Sequence, residues 1–118
     1  MRPTEVDYAS YLNWLFHADA TLTFPQTILL RYGQQEPEKG LQEAGVDYGK
    51  WYIARLRMLD ATLEDGREFL AGGRFTLADI CITYALFLGT TLGLDERCDF
   101  PIKRLIFLLK RLISYSND

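Results

Sequence analysis

A single histidine, His17, and two cysteines, Cys81 and Cys98, are all that the chain of 118 residues offers to thiol or imidazole chemistry. One imidazole is too little for a multi-histidine metal site, and a His-based triad has almost nothing to work with. The cysteines form no CxxC pair and no metal-type cluster. Cys81 lies in an apolar run and Cys98 in a polar stretch, so no disulfide is expected, and a reducing cytoplasm fits. Positive charge is also in deficit. Thirteen Lys and Arg against 16 Asp and Glu give a net charge of −3, which removes the electrostatic case for nucleic acid. Gly72-Gly73 precede a helical pattern but lack the surrounding residues of a phosphate-cradling loop. The longest uncharged run, Ile80 to Leu94, falls short of the ~20 residues a membrane span needs. The opening MRPTEVDYASYL lacks the basic-then-apolar layout of a secretory leader. No hairpin dipeptide separates alternating runs, so strands are not expected. No catalytic residue, metal site or resident cofactor is assigned.

What is present is helical patterning with many large rings. Hydrophobic residues make up 48% and aromatics 14%, enough for one domain over residues 1–118 to bury a core. A first helix is expected from about residue 4 to 31, with Tyr8, Tyr11, Leu12, Leu15 and Leu22 on one face and Thr4 as its N-cap. Pro25 removes one ladder hydrogen bond and predicts a kink or break. Residues 33–45, GQQEPEKGLQEAG, read as a polar connecting loop. A second helix is expected from Asp47 to about Asp65. It has one stripe of Tyr52, Leu56, Leu59 and Leu63, a second of Tyr48, Trp51 and Met58, and Gly66 as its stop.

The stretch GGRFTLADICITYAL carries the sharpest local signal. Thr76 fits the N-cap and Asp79 the N3 position of a capping box, each side chain meeting the other residue's backbone N–H. Phe75 and Ile80 occupy the two positions of a hydrophobic staple. The body from Leu77 to Leu92 is apolar on nearly every side and is expected to be surrounded by other helices, ending at Gly93. A buried helix start has no water for its free N–H groups, which explains the polar pair at its mouth. A fourth helix is expected over about 101–115, with Ile102, Leu105, Ile106, Leu109, Leu112 and Ile113 on one face. Lys103, Arg104, Lys110 and Arg111 form a solvated outer face rather than a membrane-binding one.

Two readings stay open for the polar residues on apolar stripes. Asp19 is either a solvated edge residue or a buried or interface carboxylate paired with Arg55 or Arg31. Arg55, among Trp51, Met58 and Leu59, would want a carboxylate if desolvated. His17 reads as a surface or interface residue and Cys81 as packing.

FLAGGRFTLADICITYALFLG closely resembles the start of the sixth helix in the C-terminal domain of glutathione S-transferases. YASYLNWLFHADATLTFPQTILLRYG resembles that family's long, kinked fourth helix, and DYGKWYIARLRMLDATLEDGREFL its fifth. LGLDER resembles the turn that follows, so the likeness covers roughly residues 5–97. It implies an all-α bundle of four to five helices. It further implies that the helical domain supplies an apolar pocket for an electrophilic co-substrate and part of a dimer surface. On the family's pattern Thr23, Phe24 and Thr27 would face that pocket, with Tyr84 and Leu88 added from the sixth helix. Some bacterial members place a functional histidine where this chain has Thr23, so that role is not carried over. The segment at about 98–118 departs from the family's pattern. In such enzymes a thioredoxin-like N-terminal domain holds glutathione and activates its thiol. The chain opens at the fourth helix, so glutathione is expected as a co-substrate only if that domain is present, and the expected partner is that domain or a second copy. Alone, these helices are expected to be inactive in conjugation and detoxification. The alternative is a stand-alone protein–protein interaction module.

Overall fold

Among the residues that the computed structural model describes, 1–94 with Lys110 and Ser114, every regular element is helical. Helix α1 (Tyr8–His17) runs through a π-helical turn (Ala18–Thr23) into α2 (Phe24–Leu30) and a second π turn (Arg31–Gln35). A 3-10 turn at Pro37–Lys39 leads to α3 (Gln42–Thr62), which closes in a 3-10 turn at Leu63–Asp65. An irregular stretch then brings the chain to α4 (Leu77–Thr91). The all-α fold is as the sequence predicts. The described residues make three long helical rods, and the expected fourth helix lies outside them apart from helical Lys110 and Ser114.

The kink expected at Pro25 takes the form of the π turn before it. Pro25 has no N–H, and its ring crowds the carbonyl one turn back. The Phe24 N–H reaches the Asp19 carbonyl, five residues back instead of four, so the widened turn absorbs the crowding and the rod continues. Thr4 is not the N-cap. The helix starts at Tyr8 with Asp7 in the cap position and no side-chain cap bond.

The loop expected over 33–45 is a second correction. Helix α3 starts at Gln42, five residues ahead of Asp47, and takes Gly45 and Gly49 into its buried face. The α2 backbone passes close by Gly45, while Gly49 faces only side-chain ends. A Cβ on Gly45 would stand 3.3 Å from the Leu29 Cα and 3.5 Å from its carbonyl oxygen. Arg31 and Lys39 hold the connecting turn by ion pairs to Glu36, exposed and screened by water.

The core forms where the three rods meet. Tyr11, Trp14 and Leu22 from the first rod are buried with Tyr52, Leu56, Leu59 and Leu63 from the second, and with Ala78, Ile82, Ala85 and Leu86 from α4. The predicted stripe on the second helix is thus the buried one. Gln26, wholly buried, donates from Nε2 to the Leu22 carbonyl at 2.9 Å and to the Ala85 carbonyl at 3.0 Å, tying α2 to α4. Gly66 and Gly93, the two predicted stops, both take the left-handed backbone angle, at φ 76° and 74°.

The mouth of α4 is built as its sequence dictates. Thr76 is extended, the capping box is formed, and the Thr76 N–H donates to Asp79 Oδ2 at 2.9 Å. Asp79 does more than cap. Its Oδ1 accepts the Leu70 N–H at 3.0 Å, which fixes the preceding loop to the helix start. Asp79 is wholly buried, and that burial pushes its carboxyl up while the bonds from Leu70 and Thr76 act the other way. The ring of Phe75 meets Phe69 at 6.2 Å, edge to face, and Ile80 is 46% exposed. The expectation of a fully surrounded α4 is corrected: Leu77, Ile80, Tyr84 and Phe87 are 46% to 59% exposed.

Candidate functional site

Two surfaces flank the rod formed by α1 and α2. The first borders α4. Thr23 lies three residues before Gln26, the residue that reaches Ala85, and shares its side of the helix, while Thr27, the next residue after Gln26, turns away from that side toward the face of Phe24. Thr23 is half-buried, while Thr27 is exposed and its hydroxyl donates back to the Phe24 carbonyl at 2.6 Å. On α4, Tyr84 and Leu88 flank Ala85, the tyrosine exposed and the leucine half-buried. Leu77, Ile80, Tyr84 and Phe87 recur at steps of three, four and three, which puts them on one helix face.

The second surface is a cleft of about 430 Å³ between the first rod and α3. His17, Ala20, Thr21, Phe24 and Pro25 line one wall, and Tyr48, Trp51, Arg55 and Met58 the other. The α3 wall repeats every three or four residues, so its side chains stand in one row. Phe24 meets Tyr48 edge to face at 6.2 Å, and Tyr48 stacks on Trp51 at 5.6 Å with 15° between the rings. The Arg55 guanidinium stands over the Trp51 ring, 5.4 Å from its centre. His17 packs edge-on against Trp14 at 5.1 Å. Burial first, and the Arg55 charge second, hold its imidazole below the usual range, so the neutral form prevails there.

Phe24 therefore belongs to this cleft, on the α3 side of its helix. The open question of Asp19 also has an answer. Asp19 is exposed, Arg31 pairs with Glu36, and Arg55 rests on Trp51. The sequence reading missed the cleft as a site, although the Tyr48, Trp51 and Met58 stripe was its visible signal. Cys81 is half-buried, and Cys98 lies outside the described residues. Among the described residues no group of acidic, histidine or cysteine side chains could hold a metal ion, and no helix is long and apolar enough to cross a membrane.

Three rods meeting on a capped central helix define the class: an all-α helical bundle domain. The family model of the glutathione S-transferase C-terminal domain matches residues 51–104. The matched stretch runs from the second half of α3 through the capping box and α4. No match was found among curated proteins or solved structures.

Proposed function

We propose that the chain acts as the helical part of a glutathione S-transferase-like protein. In this reading the edge shared by α2 and α4, with Thr23, Thr27, Tyr84 and Leu88, forms one wall of a pocket for an apolar electrophile. The exposed row on α4 docks a thioredoxin-like domain that carries glutathione, and exposed apolar side chains elsewhere serve a dimer. The carrying observation is that row. Leu77, Ile80, Tyr84 and Phe87 stand exposed on a helix whose opposite face is wholly buried at Ala78, Ile82 and Ala85. An aliphatic and aromatic face of that length is costly to leave in water, and a partner domain or apolar ligand relieves the cost. Thr23, Thr27, Tyr84 and Leu88 bring no positive charge to hold a thiolate, and the reading assigns thiol activation to the docked domain.

Two titrations test the reading. Calorimetry of the chain with glutathione should give no heat at millimolar ligand. A halogenated nitrobenzene, followed by amide shifts, should perturb Thr23, Thr27, Tyr84 and Leu88 together. Saturable glutathione binding, or shifts confined to other residues, would overturn it. A salt-resistant complex with an unrelated protein through the α4 row would favour the interaction-module reading instead.

A further inference from the structure

The cleft between the first rod and α3 has a charged side chain that the edge proposed above, between α2 and α4, lacks. Phe24, Tyr48 and Trp51 give it aromatic walls, and Arg55 is the one charged side chain that lines it among the described residues. Among the described residues Arg55 has no carboxylate in an ion pair, and its guanidinium rests on an indole. Stacking engages the flat face of a guanidinium and leaves its edge N–H groups free, and that edge matches a carboxylate in a two-point hydrogen bond. Around it, three ring-to-ring or ring-to-cation contacts of 5.4 to 6.2 Å already order the row Phe24, Tyr48, Trp51 and Arg55. A volume near 430 Å³ suits a ligand of one or two fused rings.

We propose that this cleft is a binding site for a small aromatic carboxylate, its rings against Tyr48 and Trp51 and its carboxylate on Arg55. The assignment stands on the cleft alone and does not depend on the family reading. A failed glutathione or nitrobenzene titration leaves it intact. The occupant is an anion because Arg55 supplies the only charge among the described residues of the lining. It is aromatic because stacking on ordered rings is worth more than aliphatic contact of the same area.

The single histidine makes the test clean. The His17 Nε2 is buried with no hydrogen-bond partner among the described residues, and Arg55 disfavours its protonation. A carboxylate that neutralises Arg55 removes that repulsion, so the His17 midpoint should move up. The probe is naphthoate, with neutral naphthamide as the shape-matched control, followed by the His17 ring signals and by Trp51 fluorescence. Naphthoate should bind at least about tenfold tighter than naphthamide, the discrimination expected of one charge-assisted pair. It should raise the His17 midpoint where naphthamide does not. Arg55→Gln, at an exposed position, should keep the fold by thermal melt and abolish both differences. Trp51→Leu should weaken both probes alike. Equal affinity for the two probes, an unmoved His17 midpoint, or undiminished naphthoate binding by Arg55→Gln would overturn the proposal. So would a dimer, seen by sedimentation, that closes this cleft and that naphthoate neither enters nor disperses.

Discussion

Tyr52 and Gly89 lie in contact so close that no side chain fits between them. A Cβ on Gly89 would stand 2.7 Å from Tyr52 Cζ and 2.9 Å from Cε1, with the phenol oxygen nearer still. Both residues are buried, the tyrosine at 2% exposure. The spacing of α3 and α4, and so the position of the α4 row, rests on that missing methyl group. Gly89→Ala gains about 1 kcal/mol of helix propensity. It must also push a buried ring off its seat, and overpacking of this kind costs about 1–3 kcal/mol. The expected outcome is a net loss of stability in urea unfolding. The loss should shrink in the Tyr52→Phe background, without vanishing, because ring carbons still fall within contact. A double-mutant cycle reads that coupling.

Gly45 and Gly49 should respond in opposite senses to the same substitution. At Gly45 the new methyl meets the Leu29 backbone, at 3.3 Å from Cα, which cannot move without moving α2. At Gly49 it meets only the methyl ends of Leu94 and Leu29, at 3.4 and 3.5 Å. Gly45→Ala is therefore expected to destabilise by about 1–2 kcal/mol. Gly49→Ala is expected to be neutral or to stabilise by up to about 1 kcal/mol, the helix-propensity difference alone. Parallel denaturant titrations of the two variants decide it.

These glycines also mark where the sequence was least legible. The buried stripe of α3 from Tyr52 to Leu63, the glycine stops at Gly66 and Gly93 and the Thr76–Asp79 box were all readable, because each is a local pattern with a local cause. In the sequence Gly45 reads as loop, because glycine is a breaker unless something passes close by, and Leu29 is sixteen residues away. The exposure of Ile80, Tyr84 and Phe87 was hidden for a similar reason. An all-round apolar helix announces that it will be covered, and the pattern does not say by which element. The cleft lies between readable and hidden. Tyr48, Trp51 and Met58 stood out as a stripe, but only the packing of Phe24 and His17 opposite turns a stripe into a cavity.

Asp79 holds two separate pieces of backbone, and its variants should separate them. Asp79→Ala leaves the buried N–H groups of Leu70 and Thr76 without acceptors. Unmet buried donors cost about 1–3 kcal/mol each, so for two of them a loss of about 2–6 kcal/mol is expected. Asp79→Asn keeps one acceptor oxygen and presents an NH₂ to the other donor, so it should lie between the wild type and the alanine variant. Amide hydrogen exchange gives the local check. The Leu70 amide should lose protection in both variants, and the amides in the middle of α3 only in proportion to the global loss.

Glu5 ties the start of the chain to the loop ahead of α4, and that tie sets an acid limit. The Arg74 side chain, donating at 2.8 Å, and then the Arg2 N–H pull the Glu5 carboxyl down to about 2 from its ordinary 4.5. A carboxylate with a depressed folded-state pKa binds its proton more weakly in the native chain than in the unfolded one. Its contribution is therefore present in full above pH 4.5, shrinks as pH falls below it, and is gone by about pH 2. Because the pair is exposed, the effect is modest and salt should weaken it. Glu5→Gln should thus lower the melting temperature at pH 7 in dilute buffer, by less in high salt, and not at all near pH 2. A gap between the two melts that stays constant from pH 7 to pH 2 would mean that Glu5 stabilises the chain through packing rather than through its charge.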